Sequence, residues 1–155
     1  MIELFARPTS GIRLDYKGDL VPLHISEELS SLSAILLNEA YYDFLVHGRT
    51  VAENISVLDA VHLVPMKMKA WLDLTERKAE GKHVNDRDLR KHRQDIFRLF
   101  PLISADERVK TPDEVYRDIQ QFLTAMENQP FDPHSIGINF KKEDVLNIYR
   151  SIYYS

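Results

Sequence analysis

The 155-residue sequence predicts an α+β protein, a small N-terminal β-sheet or hairpin followed by a C-terminal helical bundle. Three observations carry that expectation. Met1–Arg7 and Ile12–Tyr16 alternate side chains with the period of two that marks strands. Residues 59–100 place apolar side chains at helical spacing in two blocks joined by a short polar loop. Thr111-Pro112-Asp113-Glu114 then opens another amphipathic block with the strongest helix-start signal in the chain. The expected organisation is a single domain over 1–155, strand-rich over 1–58 and helical over 59–155.

Taken in order, Met1–Arg7 reads as a strand, with Ile2, Leu4 and Ala6 alternating against Glu3, Phe5 and Arg7. Pro8 ends it and Thr9-Ser10-Gly11 makes a loop. Ile12–Tyr16 alternates again, Lys17-Gly18-Asp19 is a turn, and Leu20–Ile25 returns as the partner of a hairpin, with Pro22 favouring an edge position. Ser26 is a good N-cap type, and Glu27 and Glu28 follow where the helix dipole favours acid, so the start signals of Ser26–Asn38 favour a helix. Its nearly continuous apolar run fits a buried strand as well, and periodicity does not decide between them. Glu39–Gly48 reads as a short helix with Tyr41, Phe44 and Leu45 inward, and Arg49–Leu58 as an extended pair turning near Glu53-Asn54.

Asp59 caps the entry to the central helix pair, around which the rest is organised. Pro65 suits a first helical turn. Met68, Trp71, Leu72 and Thr75 follow as one stripe, and Asp73 is spaced to pair with Lys69 and Arg77 on the exposed side. Gly81 is the expected C′ residue and Asn85 the cap of the second helix, with Asp88 three residues on. Leu89, Ile96, Leu99 and Phe100 make the second stripe, and the two helices should pack antiparallel. After Thr111, as N-cap, a helix buries Val115, Ile119, Phe122, Leu123 and Met126. Residues 128–140 form a loop, and Lys142–Tyr153 a last helix with Val145, Ile148, Tyr149 and Ile152 inward. Tyr149, Tyr153 and Tyr154 can stack on a base, but the docking of an aromatic helix face is the preferred reading.

Composition narrows the chemistry. With no cysteine, neither a disulfide framework nor a thiolate metal site is available. The first residues lack a basic start followed by an apolar run, and no apolar stretch approaches the roughly 20 residues that span a bilayer, so a cytoplasmic location is expected. The formal net charge is −4, which argues against the whole molecule attracting polyanions. Positive charge is nevertheless concentrated in Arg87, Arg90, Lys91, Arg93 and Arg98, with Asp88 and Asp95 as the acids among them. Such a face can meet phosphates, which raises RNA as a partner; a solvated helix face is the plainer explanation. The six histidines are scattered and none forms the i, i+4 pair of a zinc helix. Neither a glycine-rich phosphate loop nor a Gly-x-Ser-x-Gly elbow occurs.

The central pair also carries a resemblance. Lys67-Met68-Lys69-Ala70-Trp71 resembles the "Lys, apolar, any residue, Ala, Leu" helix of the AbiEii/AbiGii-type nucleotidyltransferases, a branch of the DNA polymerase β-like superfamily. Gln94-Asp95-Ile96-Phe97-Arg98-Leu99 stands where that family often has Arg-Asp-Leu-Tyr-Asp-Leu; Asp95 matches, Gln94 replaces the Arg and Arg98 the second Asp. The wording KAWLDLTERKAEGKHV followed by KHRQDIFRL is similar to a bacterial subgroup described as nucleotidyltransferase-like.

The resemblance implies the C-terminal portion of a nucleotidyltransferase-like fold that uses Mg²⁺ and an NTP, some members being toxins of toxin–antitoxin or phage-abortive systems. It implies Glu3 in or near the place of the third metal-binding carboxylate, Lys67 near the cleft as a phosphate-binding point charge, and Asp95 ordering the helix pair or holding Lys67. Each has a plainer counterpart: Glu3 a solvent-facing strand residue, Lys67 an exposed lysine, Asp95 a partner of Lys91. For Asp95 the structural role is preferred. Asp15 and Asp19, at the hairpin tip, are weaker metal candidates. The family's Gly-Ser turn and following Asp-x-Asp pair do not occur ahead of Glu3, so little or no transferase activity is expected of this chain alone. The alternative expectation is a non-catalytic module that binds a partner protein or self-associates through its N-terminal strand.

Overall fold

The computed structural model describes residues 4–6, 20–23, 32–36, 38–53 and 55–155. The chain is α+β and mainly helical, in the order β1 (Leu4–Ala6), β2 (Leu20–Leu23), β3 (Leu32–Leu36), α1 (Glu39–His47), β4 (Arg49–Ala52), β5 (Ile55–Leu58), α2 (Ala60–Ala79), α3 (Asp86–Leu99), β6 (Val109–Lys110), α4 (Asp113–Glu127), α5 (Lys142–Ile152) and β7 (Tyr153–Tyr154).

The first three strands form a sheet in the order β1-β3-β2. β3 pairs parallel with β1 (Phe5 opposite Ile35) and antiparallel with β2 (Pro22 opposite Ser33). Pro22 therefore sits on an outer strand of this sheet, where a missing N–H is tolerated. Within the Ser26–Asn38 segment Leu32–Leu36 is a strand, the alternative its apolar run allowed, and residues 26–31, which carry the helix-start signals, lie outside the described residues. The expected strand Ile12–Tyr16 and its turn lie outside the described residues, as do Glu3, Asp15 and Asp19.

α1 begins where Asn38 accepts a hydrogen bond from the Tyr41 N–H at 3.0 Å. It ends at Gly48 and runs directly into the β4–β5 hairpin, registered Arg49 opposite Leu58 and Ala52 opposite Ile55. Asp59 then caps α2 by accepting from the His62 N–H at 2.8 Å. The helix thus starts at Ala60, and Pro65 stands in its interior rather than in its first turn. α2 stops in a Schellman turn: the Gly81 N–H donates to the Lys78 carbonyl and the Lys82 N–H to the Arg77 carbonyl, with Gly81 at φ +76°. Asn85 caps α3, accepting from the Arg87 N–H at 2.9 Å.

Pro112, not Thr111, occupies the cap position of α4. The Thr111 hydroxyl instead donates to the Tyr154 carbonyl at 3.1 Å, beside its own N–H at 2.7 Å. This ties the segment before α4 to β7, which runs parallel to β6. Among the residues whose burial is described, the core lies among the helices. Met68, Trp71, Ile96, Phe97, Phe122 and Tyr149 are central to it, and Trp71 meets Phe122 edge to face at 5.3 Å between ring centres. None of the described helices is long and apolar enough to cross a membrane.

Candidate functional site

Lys67 and Lys69 lie on the same turn of α2, yet two residues along an α-helix turn by about 200°, so they serve opposite sides of it. Lys67 turns to α3. It is only 8% exposed, which corrects the exposed-lysine reading, and its Nζ stands 3.7 Å from Asp95 Oδ2. The structure thus joins the two residues singled out on α2 and α3, and Asp95 looks across to Lys67 rather than along its own helix to Lys91. A buried ammonium costs several kcal/mol of desolvation, of order, unless a counter-charge meets it, and Asp95 supplies one.

Lys69 turns to α1 and α4. Its Nζ lies 3.3 Å from Asp73 and 3.4 Å from Asp118, and the Tyr41 hydroxyl donates to Asp118 at 2.8 Å. Beside this group, the Asn38 amide donates to Glu114 at 2.6 Å. Asp73 is therefore part of a half-buried junction, not an exposed rung. Burial raises the Tyr41 hydroxyl far above its usual range, and the charge of Asp118 adds to the effect. Burial works against the Lys69 charge, but Asp73 and Asp118 together outweigh it and hold Lys69 above its usual value. Asp73 is also raised, first by burial and then by the like charge of Asp118, against the opposing pull of Lys69. Both partners of one ion pair shift upward because Lys69 faces two carboxylates while Asp73 shares one cation. Sequence spacing suggested the Lys69–Asp73 rung; Asp118, 45 residues further on in α4, carries no local signal that would have found it.

The basic side of α3 is mixed in character. Arg87, Arg90, Lys91 and Arg98 are exposed, as a solvated face requires. Arg93 instead lies over the Phe131 ring at 4.6 Å, and Phe131 packs on Phe97 with ring centres 4.7 Å apart. Burial and the neighbouring Arg90 both lower the Arg93 pKa. Tyr149 and Tyr153 are 0% and 1% exposed, so they belong to the core; Tyr154, at 47%, is the one of the three that meets solvent.

For Mg²⁺, paired open carboxylate oxygens are the natural ligands. Asp73 and Asp118 already share the Lys69 ammonium and Asp95 faces Lys67. Among the described residues no group of three or more histidine, aspartate or glutamate side chains is placed to hold a metal. The donor set does not fit the ion there, and Glu3 lies outside the described residues. Comparison with known protein families, with curated proteins and with solved structures found no match.

Proposed function

We propose that this chain is a nucleotidyltransferase-like protein of the kind it resembles in residues 67–99, binding an NTP phosphate at Lys67 without completing transfer by itself. The observation that supports this is the Lys67–Asp95 pair, a lysine 8% exposed set 3.7 Å from a carboxylate on the facing helix. An ion pair with a buried cation is a poor way to gain stability, since apolar residues of the same volume serve as well or better. A cation kept at that cost suits a role as a point charge toward phosphate. Transfer of a nucleotidyl group joins the acceptor oxygen to the α-phosphorus and expels pyrophosphate, and it draws on metal-held carboxylates at both oxygens. Among the described residues no group of three or more histidine, aspartate or glutamate side chains is placed to supply them.

The test is a thermal-shift titration with each of the common NTPs, with and without Mg²⁺. A ligand that binds the native state raises the melting point by mass action. The expected result is a rise with at least one nucleotide that Lys67→Met removes, with no labelled acceptor formed. No rise with any nucleotide overturns the reading.

A second reading is favoured by the β4–β5 hairpin, on which Val51, Ile55 and Val57 are 65%, 64% and 42% exposed. Apolar side chains set in solvent on a two-stranded hairpin suit a module that binds a partner protein or a second copy. Chromatography with light scattering distinguishes it: a strict monomer whose mass does not change on Val51→Lys removes the self-association form of this reading.

A further inference from the structure

We infer that Tyr149 and Tyr153 are positioning residues, a two-point brace by which α5 and the strand β7 that directly follows it set the register of α2 and α3 and so bring Lys67 opposite Asp95. In an α-helix the carbonyl of residue 61 accepts from the N–H of residue 65. Here residue 65 is proline, which has no N–H, so Val61 loses that donor inside α2. The Tyr153 hydroxyl supplies one instead, donating to the Val61 carbonyl at 2.7 Å across 92 residues of sequence. Four residues earlier, in the last turns of α5, the Tyr149 hydroxyl donates to the Ile96 carbonyl at 2.7 Å, in the last turn of α3, where carbonyls run short of helical partners.

The two anchor points are not arbitrary. Val61 lies at the start of α2, less than two turns before Lys67, and Ile96 is the residue after Asp95. Both hydroxyls are buried, so neither carbonyl can take water if its tyrosine is removed. The rings lie 6.3 Å apart and nearly parallel, and the brace is held from behind by the Thr111 bonds to the Tyr154 carbonyl. The inference concerns the register of the pair and stands whether or not a nucleotide binds, so its test uses none.

Two measurements on the full chain test it. The first is a thermal-unfolding cycle of Tyr153→Phe with Pro65→Ala, which restores an N–H opposite the Val61 carbonyl. Tyr153→Phe should lower the melting point by about 3–8 °C in the parent chain and by less than half as much in the Pro65→Ala chain. If Tyr153→Phe alone does not fold, recovery of folding by Pro65→Ala supports the inference; equal loss in both backgrounds, or failure to fold in both, overturns it. The second is amide hydrogen exchange, compared with Val145→Ala, a cavity variant of α5 that removes neither hydroxyl. Faster exchange in the turn holding Lys67 for Tyr153→Phe, and in the turn holding Asp95 for Tyr149→Phe, by several-fold over Val145→Ala, is the positioning signature. Exchange in those turns no faster than in Val145→Ala reduces the tyrosines to general packing and overturns the proposal.

Discussion

Tyr41 shows how much of the α1–α2–α4 junction rests on a single oxygen. Its ring is 2% exposed and its hydroxyl donates to Asp118 at 2.8 Å, while the same carboxylate takes the Lys69 ammonium. Tyr41→Phe keeps the ring and removes one donor from a half-buried charge; hydrogen bonds to charged groups contribute about 1.5–3 kcal/mol, so denaturant unfolding should show a loss of about 2 kcal/mol. Asp73 responds in the opposite sense. Its pKa is raised in the folded chain, mainly by burial, so the folded state binds its proton more tightly than the unfolded state does. Ionised Asp73 therefore costs stability above its unfolded pKa of about 3.9. Asp73→Asn should raise the melting point relative to the parent at pH 7, with the gain fading as pH falls toward about 4 and gone below it. Calorimetry at both pH values checks the sign. Residue-level chemistry of this kind was only partly legible beforehand: the i, i+4 spacing of Lys69 and Asp73 is a local pattern, whereas Tyr41 and Asp118 are brought together by the packing of α1 on α4, which no local pattern encodes.

At the scale of elements, two glycines end two helices for different physical reasons, and they predict different variants. Gly81 has φ +76° and nothing within 4 Å of where a Cβ would stand, so Gly81→Ala meets only the backbone cost of the left-handed conformation, about 1 kcal/mol. Gly48 has an ordinary φ of −84°, but a Cβ there would stand 2.2 Å from the His62 ring. That ring is fixed by Asp59 at 2.7 Å and lies against Phe44 with ring centres 4.7 Å apart, so Gly48→Ala should cost more, about 1–3 kcal/mol as overpacking. Chemical denaturation of the two variants checks the ranking, and Gly81→Asn should recover part of the first loss because asparagine tolerates the left-handed region. The Gly81 stop, the Asn85 and Asp59 caps and the apolar stripe of α4 were readable because each is a local signal of fixed spacing. Pro65 and Thr111 were misplaced because their locally favoured roles are overridden by distant partners: Tyr153 satisfies the carbonyl that Pro65 strands, and Tyr154 draws the Thr111 hydroxyl away from the cap. The run at Leu32–Leu36 was undecidable from periodicity, since a continuous apolar stretch suits a buried strand and a helix alike. Lys67 and Asp95 were found through resemblance; their meeting is a consequence of α2 packing on α3.

For the molecule as a whole, buried tyrosine hydroxyls join the helices beside the apolar core, and this should appear in the pH dependence of folding. Tyr41, Tyr149 and Tyr153 reach from α1 to α4, from α5 to α3 and from β7 to α2 respectively. Burial is the first cause of an upward pKa shift in all three. The folded pKa of each exceeds the unfolded value of about 10, so the folded chain retains these protons at a pH where the unfolded chain releases them. Their contribution is complete below pH 10 and is lost as pH rises beyond it. The limiting slope is about 1.4 kcal/mol per pH unit for each proton, hence about 4 kcal/mol per unit for the three together. Lys69, also raised, acts in the same direction. A domain of this size holds a net stability of about 5–15 kcal/mol, so unfolding should set in within a few pH units above 10, steeply and with release of protons. Denaturant titrations at pH 9, 10 and 11 measure the slope directly. Tyr41→Phe removes one of the three protons, and it should flatten that slope by about a third even as it lowers stability at neutral pH; a variant that lowers stability at pH 7 and leaves the alkaline slope unchanged would mean that Tyr41 already titrates at an ordinary value in the folded chain.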